Sequence, residues 1–98
     1  MFHHVVTFRL KPETEPSTRR LIIAKIRDLP LSVPGIIALK CGEDFGLAEG
    51  NFDVAVCVSF ARAEDYQVYA THGAHLAVVA EYVRPYLAKR VAVQFVDN

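Results

Sequence analysis
Residues 2–9 alternate: Phe2, His4, Val6 and Phe8 fall on one face, His3, Val5, Thr7 and Arg9 on the other. A period of two sustained over eight residues predicts a β-strand. Pro12 and Pro16 then close a polar turn, and Ser17 reads as the N-cap of a helix reaching about Leu29. In that helix Leu21, Ile22, Ile26 and Leu29 make one apolar stripe, with Arg19, Arg20, Lys25 and Arg27 toward water. Pro30, Pro34 and Gly35 end it. A second strand is expected at about 36–42, followed by a loop marked by Gly42, Gly46 and Gly50 and a third strand at 52–60. The third strand sorts its side chains by size. Phe52, Val54, Val56, Val58 and Phe60 form a bulky face, whereas Asp53, Ala55, Cys57 and Ser59 form a small one. Residues 62–83 read as a second helical region, bent or interrupted near Gly73 and limited by Pro85, and the last strand is expected at 89–96.

Strand, helix, strand, strand, helix, strand is the split βαβ order of an α+β, ferredoxin-like βαββαβ protomer with a four-stranded antiparallel sheet. Two helices cover only one face of such a sheet. The bulky faces of strands one and three belong under them, which puts His4 on the helix side. The opposite face carries Val5, Ala55 and Cys57, an apolar surface best covered by a second copy of the chain. A symmetric homodimer through this open sheet face is therefore expected. No repeat or linker divides the sequence, so residues 1–98 are expected to form a single domain.

Composition narrows the class. The 98 residues are 52% hydrophobic and 22% charged, which excludes a disordered chain. The apolar runs are far shorter than the ~20 residues of a membrane-spanning helix, and the opening lacks the basic-then-apolar order of a secretion signal. A soluble, cytoplasmic protein is the expectation, with no membrane partner. Eleven basic residues balance eleven acidic ones without a basic stripe, which argues against nucleic acid. Cys41 and Cys57 lack CxxC spacing and read as small buried thiols.

Candidate chemistry gathers in Tyr69-Ala-Thr-His72-Gly-Ala-His75, together with His4. A histidine titrates near neutrality, so His75 can take a proton from carbon or oxygen beside a carbonyl, with Tyr69 donating a hydrogen bond to the oxyanion that develops. Spacing sets a condition on this pair. In an unbroken helix six residues separate Tyr69 and His75 by roughly 9 Å along the axis and about 120° around it. A break near Gly73 is needed to bring them together. Without one, His72 would sit mid-stripe with Tyr69, Leu76, Val79 and Val83, and His72 is most simply a histidine bonded to backbone. His3, on the other face, would serve the dimer interface. His72 and His75 are three apart with no Cys or carboxylate at ligand spacing, so neither a metal nor a cofactor is expected. Glu64 and Asp65 suit the N-terminal end of their helix.

Met1-Phe-His-His4-Val-Val-Thr-Phe8-Arg-Leu10, Val33-Pro34-Gly35-Ile36, Phe52-Asp53, and Glu64-Asp65-Tyr66-Gln-Val-Tyr69-Ala-Thr-His72-Gly-Ala-His75 together resemble the stress-responsive dimeric α/β barrel (Dabb) family. The resemblance covers nearly the whole chain. It implies a ferredoxin-like protomer whose sheets form a barrel at the dimer interface. The family is functionally mixed: many bacterial members have no assigned reaction, some plant members are stress-associated oligomers, and olivetolic acid cyclase is a polyketide cyclase of this type. By position, the cyclase's histidine and tyrosine correspond to His75 and Tyr69, and its first-strand pocket histidine to His4. Its further pocket tyrosine and its third-strand histidine are replaced here by Ile26 and Val54, and Gly73 stands where proline is frequent in the family. The expected site is thus an apolar pocket between helices and sheet, with His75 and Tyr69 catalytic and His4, Val6, Phe8, Ile26, Val56, His72 and Leu76 lining it. A small apolar or aromatic ligand would suit it, handled by cofactor-free cyclase- or isomerase-type proton transfer. Two alternatives stand beside this reading: a non-catalytic stress or assembly protein with structural histidines, and a cofactor-free monooxygenase of the wider dimeric α/β barrel group.

Overall fold
The computed structural model describes residues 1–97. Strand β1 runs over Phe2–Leu10, helix α1 over Pro16–Arg27, β2 over Ile36–Glu43, β3 over Val54–Phe60, α2 over Ala63–Thr71, α3 over Gly73–Val78 and β4 over Leu87–Val96. The strands form one antiparallel sheet in the order β2-β3-β1-β4. Central β1 and β3 alternate as the pattern demands: His4, Val6, Phe8 and Leu10, and Val54, Val56, Val58 and Phe60, are buried beneath the helices. This is the ferredoxin-like α+β fold.

Several boundaries shift for identifiable reasons. Helix α1 begins at Pro16, not after Ser17, with extended Glu15 before it and no side-chain cap. A proline at the first helical turn sacrifices an N–H that has no intrahelical partner there. The buried stripe of α1 and the turn after it is Ile22, Ile23, Ile26 and Leu29, whereas Leu21 is 46% exposed. Leu21 lies one residue before Ile22, ~100° around the helix and off the edge of the stripe. Strand β3 starts at Val54 because Asp53 replaces regular pairing. Its carboxylate accepts from the Leu10 N–H at 2.7 Å, while its own N–H donates to the Phe8 carbonyl at 2.8 Å. Phe52, outside the strand, lies under the Arg9 guanidinium at 4.6 Å. Gly42 belongs to β2, so the loop glycines are Gly46 and Gly50, whose positive φ of 89° and 83° suits residues without a Cβ.

The helices pack over β2, β3 and β1, and α1 is tied to β2 by Arg27, whose Nε donates to the Cys41 carbonyl at 2.8 Å. β4 lies at the sheet edge. Its two faces invert the usual pattern: Val91, Val93 and Phe95 point away from the helices and stay about half exposed, while Arg90, Ala92 and Gln94 share the helix side with Phe8, Val6 and His4. Across the outer face, Val93 pairs with Val5, Val5 with Cys57, and Cys57 with Lys40. Among the described residues no helix is long and apolar enough to cross a membrane.

Candidate active site
The second helical region breaks at His72, one residue before the glycine. His72 is extended, with φ −68° and ψ 136°, and Gly73 is the first residue of α3. In a continuous helix the Ala74 N–H would bond the Ala70 carbonyl. Here the two groups are satisfied separately. The Ala74 N–H donates to His72 Nδ1 at 3.1 Å, and His75 Nδ1 donates to the Ala70 carbonyl at 3.2 Å. His72 is thereby the N-cap of α3, and His75 is swung against Tyr69, with ring centroids 4.2 Å apart. The six-residue spacing that an unbroken helix would spread by about 120° around its axis is closed by one extended residue.

A cavity of about 310 Å³ lies between helices and sheet. Its floor is His4, Val6 and Phe8 of β1 and Val56 of β3, and its walls include Ile26, Leu29, Tyr69, His75 and Val78. After Val78 the helix widens into a single π-turn over Val79–Val83, a form frequent at functional sites. Val79 and Val83 both line the cavity, as do Arg84, Leu87 and Arg90. Of the residues expected to line a pocket, His72 and Leu76 do not. His72 is spent on the helix cap, and Leu76 is 52% exposed.

The protons on the two cavity histidines are fixed by their partners. A carbonyl only accepts, so His75 carries its proton on Nδ1 and leaves Nε2 as a lone pair. His4 has the opposite tautomer: the Gln94 side-chain amide donates to its Nδ1 at 2.9 Å, so Nε2 bears the hydrogen. Burial depresses the basicity of both rings, aided by the positive charge of Arg90. His4 falls to about 4, and His75 lies below the ordinary histidine range despite its bond to Ala70. Burial pushes the Tyr69 phenol up to about 12. Among the described residues its hydroxyl has no hydrogen-bond partner and Thr14 Oγ1 is the one sealed, unpartnered side-chain atom, so the Tyr69 hydroxyl meets the cavity. At neutral pH the site therefore holds a neutral imidazole acceptor, a neutral imidazole donor and a phenol donor.

The His4 shift has a consequence for folding. Above pH 6.5 the ring is neutral folded or unfolded and contributes no pH dependence. Between 6.5 and about 4 the unfolded ring takes a proton that the folded one refuses, so stability falls as pH drops, and it levels off below that window. We expect a loss on the order of 2 kcal/mol, after discounting for screening by water in the cavity. Urea unfolding at pH 7 and 4.5 should show a shallower acid loss in His4→Gln than in the wild type. Parallel profiles would show that the imidazole is not held neutral.

On the outer sheet face His3 Nδ1 meets Ser59 Oγ at 2.7 Å and His3 Nε2 meets Asp97 Oδ1 at 3.0 Å. The order resembles a serine–histidine–aspartate relay, but Ser59 is buried in the sheet and neither described cavity touches it. Among the described residues no three His, Cys, Asp or Glu side chains are grouped to hold a metal. The site residues that the sequence reading missed are Gln94, Arg84 and Arg90. The signal for two of them was present: β4 alternates Arg90, Ala92, Gln94 against Val91, Val93, Phe95, polar where a helix-side face should be apolar.

A ferredoxin-like sheet with helices on one face and a histidine-lined cavity between the layers defines an α+β domain of the ferredoxin-like class. The chain belongs to the stress-responsive A/B barrel domain (Dabb) family, whose sequence pattern matches residues 2–97. It is similar to a dimeric ferredoxin-like protein of unknown function from Thermobifida fusca, at 34% identity over 96% of this chain and 88% of that one, with a TM-score of 0.88. The fold is shared with the hydroxynitrile lyase of Passiflora edulis, at 23% identity, 99% and 93% coverage and a TM-score of 0.85. A putative antibiotic biosynthesis monooxygenase from Nitrosomonas europaea shares it at 12% identity, 99% and 98% coverage and a TM-score of 0.75. No curated protein matches the chain significantly.

Proposed function
We propose that residues 1–98 act as one homodimeric Dabb domain that binds a small, largely apolar molecule between helices and sheet and moves a proton on it without a cofactor. The observation that carries this reading is the pairing of opposite tautomers on one cavity, His75 with a free Nε2 and His4 with Nε2–H, with Tyr69 between the layers. His75 removes a proton from carbon or oxygen beside a carbonyl, and Tyr69 and His4 donate hydrogen bonds to the oxyanion that forms. A depressed histidine is ready to accept at pH 7 but is a weak base. The two donors supply the missing driving force by stabilising the developing oxyanion, which lowers the pKa of the bound substrate's proton. A volume of about 310 Å³ falls at the small end of ligand sites, enough for one ring with a short chain. The dimer is supported by the apolar outer face and by the dimeric relative from T. fusca.

A thermal-shift screen of aromatic and polyketide-like acids on wild type and His75→Ala tests the site. A true ligand stabilises the wild type and loses much of that effect in the variant, at least about tenfold in Kd if one buried hydrogen bond is lost. Equal stabilisation of both proteins would remove His75 from the site.

A further inference from the structure
Every ionisable side chain that lines the cavity is neutral or basic, and none is acidic. Arg84 follows the π-turn, and Arg90 stands on β4 opposite Phe8. Both are solvent-exposed at the cavity, whereas Val6, Val56 and Ile26 beneath them are sealed. Neither guanidinium forms a salt bridge or a side-chain hydrogen bond among the described residues, although Arg19 and Arg62 each have a carboxylate partner and Arg27 a carbonyl. Two unpaired guanidinium groups over an apolar interior are complementary to a molecule with an apolar body and an anionic head.

We infer that the cavity selects a carboxylate ligand, its apolar body on Val6, Val56 and Ile26 and its carboxylate held at the mouth by Arg84 and Arg90. The inference rests on the proposed ligand cavity and adds the charge of what enters it. Guanidinium matches a carboxylate with two parallel N–H donors, and a partner already facing water needs little desolvation to accept it. Arg90 then has two roles. It anchors the ligand, and its charge helps keep His4 and His75 unprotonated, so an anion that neutralises it raises the proton affinity of both rings.

The test uses 4-alkylbenzoates with ethyl to hexyl chains, each paired with its neutral 4-alkylbenzamide, measured by calorimetry on wild type, Arg84→Gln, Arg90→Gln, the double variant and His75→Ala. The wild type should bind the best benzoate at least about tenfold tighter than its amide, with a preference that shrinks as salt rises. The double variant should bring acid and amide to within about twofold while still binding the amide, since charge alone has been removed. His75→Ala should weaken binding yet keep the preference for the acid. Equal binding of acid and amide by the wild type, or an unchanged preference in the double variant, overturns the inference and leaves the cavity reading standing. Failure of every member of both series to bind the wild type overturns both.

Discussion

Val93→Glu is expected to turn the proposed dimer into a monomer at micromolar concentration. Val93 is 58% exposed in the protomer, so the substitution leaves the core untouched. It stands at the centre of the outer face, paired with Val5 and flanked on its own strand by Val91 and Phe95. If two sheets meet there, a carboxylate at this position is buried with Val5, Val91 and Phe95 as its neighbours, and two-fold symmetry imposes the cost twice. Each unpaired buried charge costs several kcal/mol, so the dissociation constant should rise about a thousandfold or more. Sedimentation of the wild type and the variant at equal concentration reads this directly, with far-UV circular dichroism to follow the fold. A variant that sediments as the wild-type dimer would place the interface elsewhere. Val93→Thr, similar in shape but polar, should weaken the dimer by far less.

Phe60→Ala should be the most damaging single truncation in the protomer. Phe60 has no exposed surface, and its ring packs against Phe2, Tyr66 and Tyr69 at centroid distances of 6.4, 6.0 and 5.5 Å. Removing the ring loses its transfer free energy and leaves a void, ~3–5 kcal/mol together. Against the 5–15 kcal/mol typical of a domain this is a large share, and for a chain of this length it corresponds to a fall of roughly 15–30 °C in Tm. The loss has a functional side as well. Tyr69 leans on Phe60 from one side and stacks on His75 from the other, so the void lets the phenol drift from the cavity. Calorimetric melting at fixed protein concentration measures the stability, and a Tm within about 5 °C of the wild type would show that the aromatic cluster does not hold the sheet to α2. Phe60→Leu should retain most of the stability, since the void is smaller.

The fold was legible because its signals are local. Alternation in β1 and β3, the stripe of α1 and the prolines and glycines between elements all act within a few residues, and their order has one common antiparallel solution. The site was half legible. His4, Val6, Phe8 and Val56 follow from strand faces alone, and Tyr69 and His75 depend on the helix break expected near Gly73, which falls at His72. That residue matters. A glycine marks where a chain can bend, but the bend itself was taken by His72, whose ring can accept the hydrogen bond that the next helix would otherwise leave open. Leu76 and His72 share a stripe with Tyr69 only in a continuous helix, and the break rotates both out of the pocket. Arg84 lay beyond reach because it follows a π-turn, which no apolar period announces. Gln94 needed the register of β4 against β1, set by the pairing of residues ninety positions apart.

The inverted faces of β4 give this one strand two independent vocabularies. Along residues 90–95, even positions lie on the helix side, where Arg90 lines the cavity and Gln94 holds His4, and odd positions lie on the open face. Scored for ligand affinity and for assembly, a saturation scan of this segment should return two interleaved maps, each silent at every second residue. On the proposed function, a lineage can retune ligand preference at Arg90, or at His4 through Gln94, without touching the face one register step away.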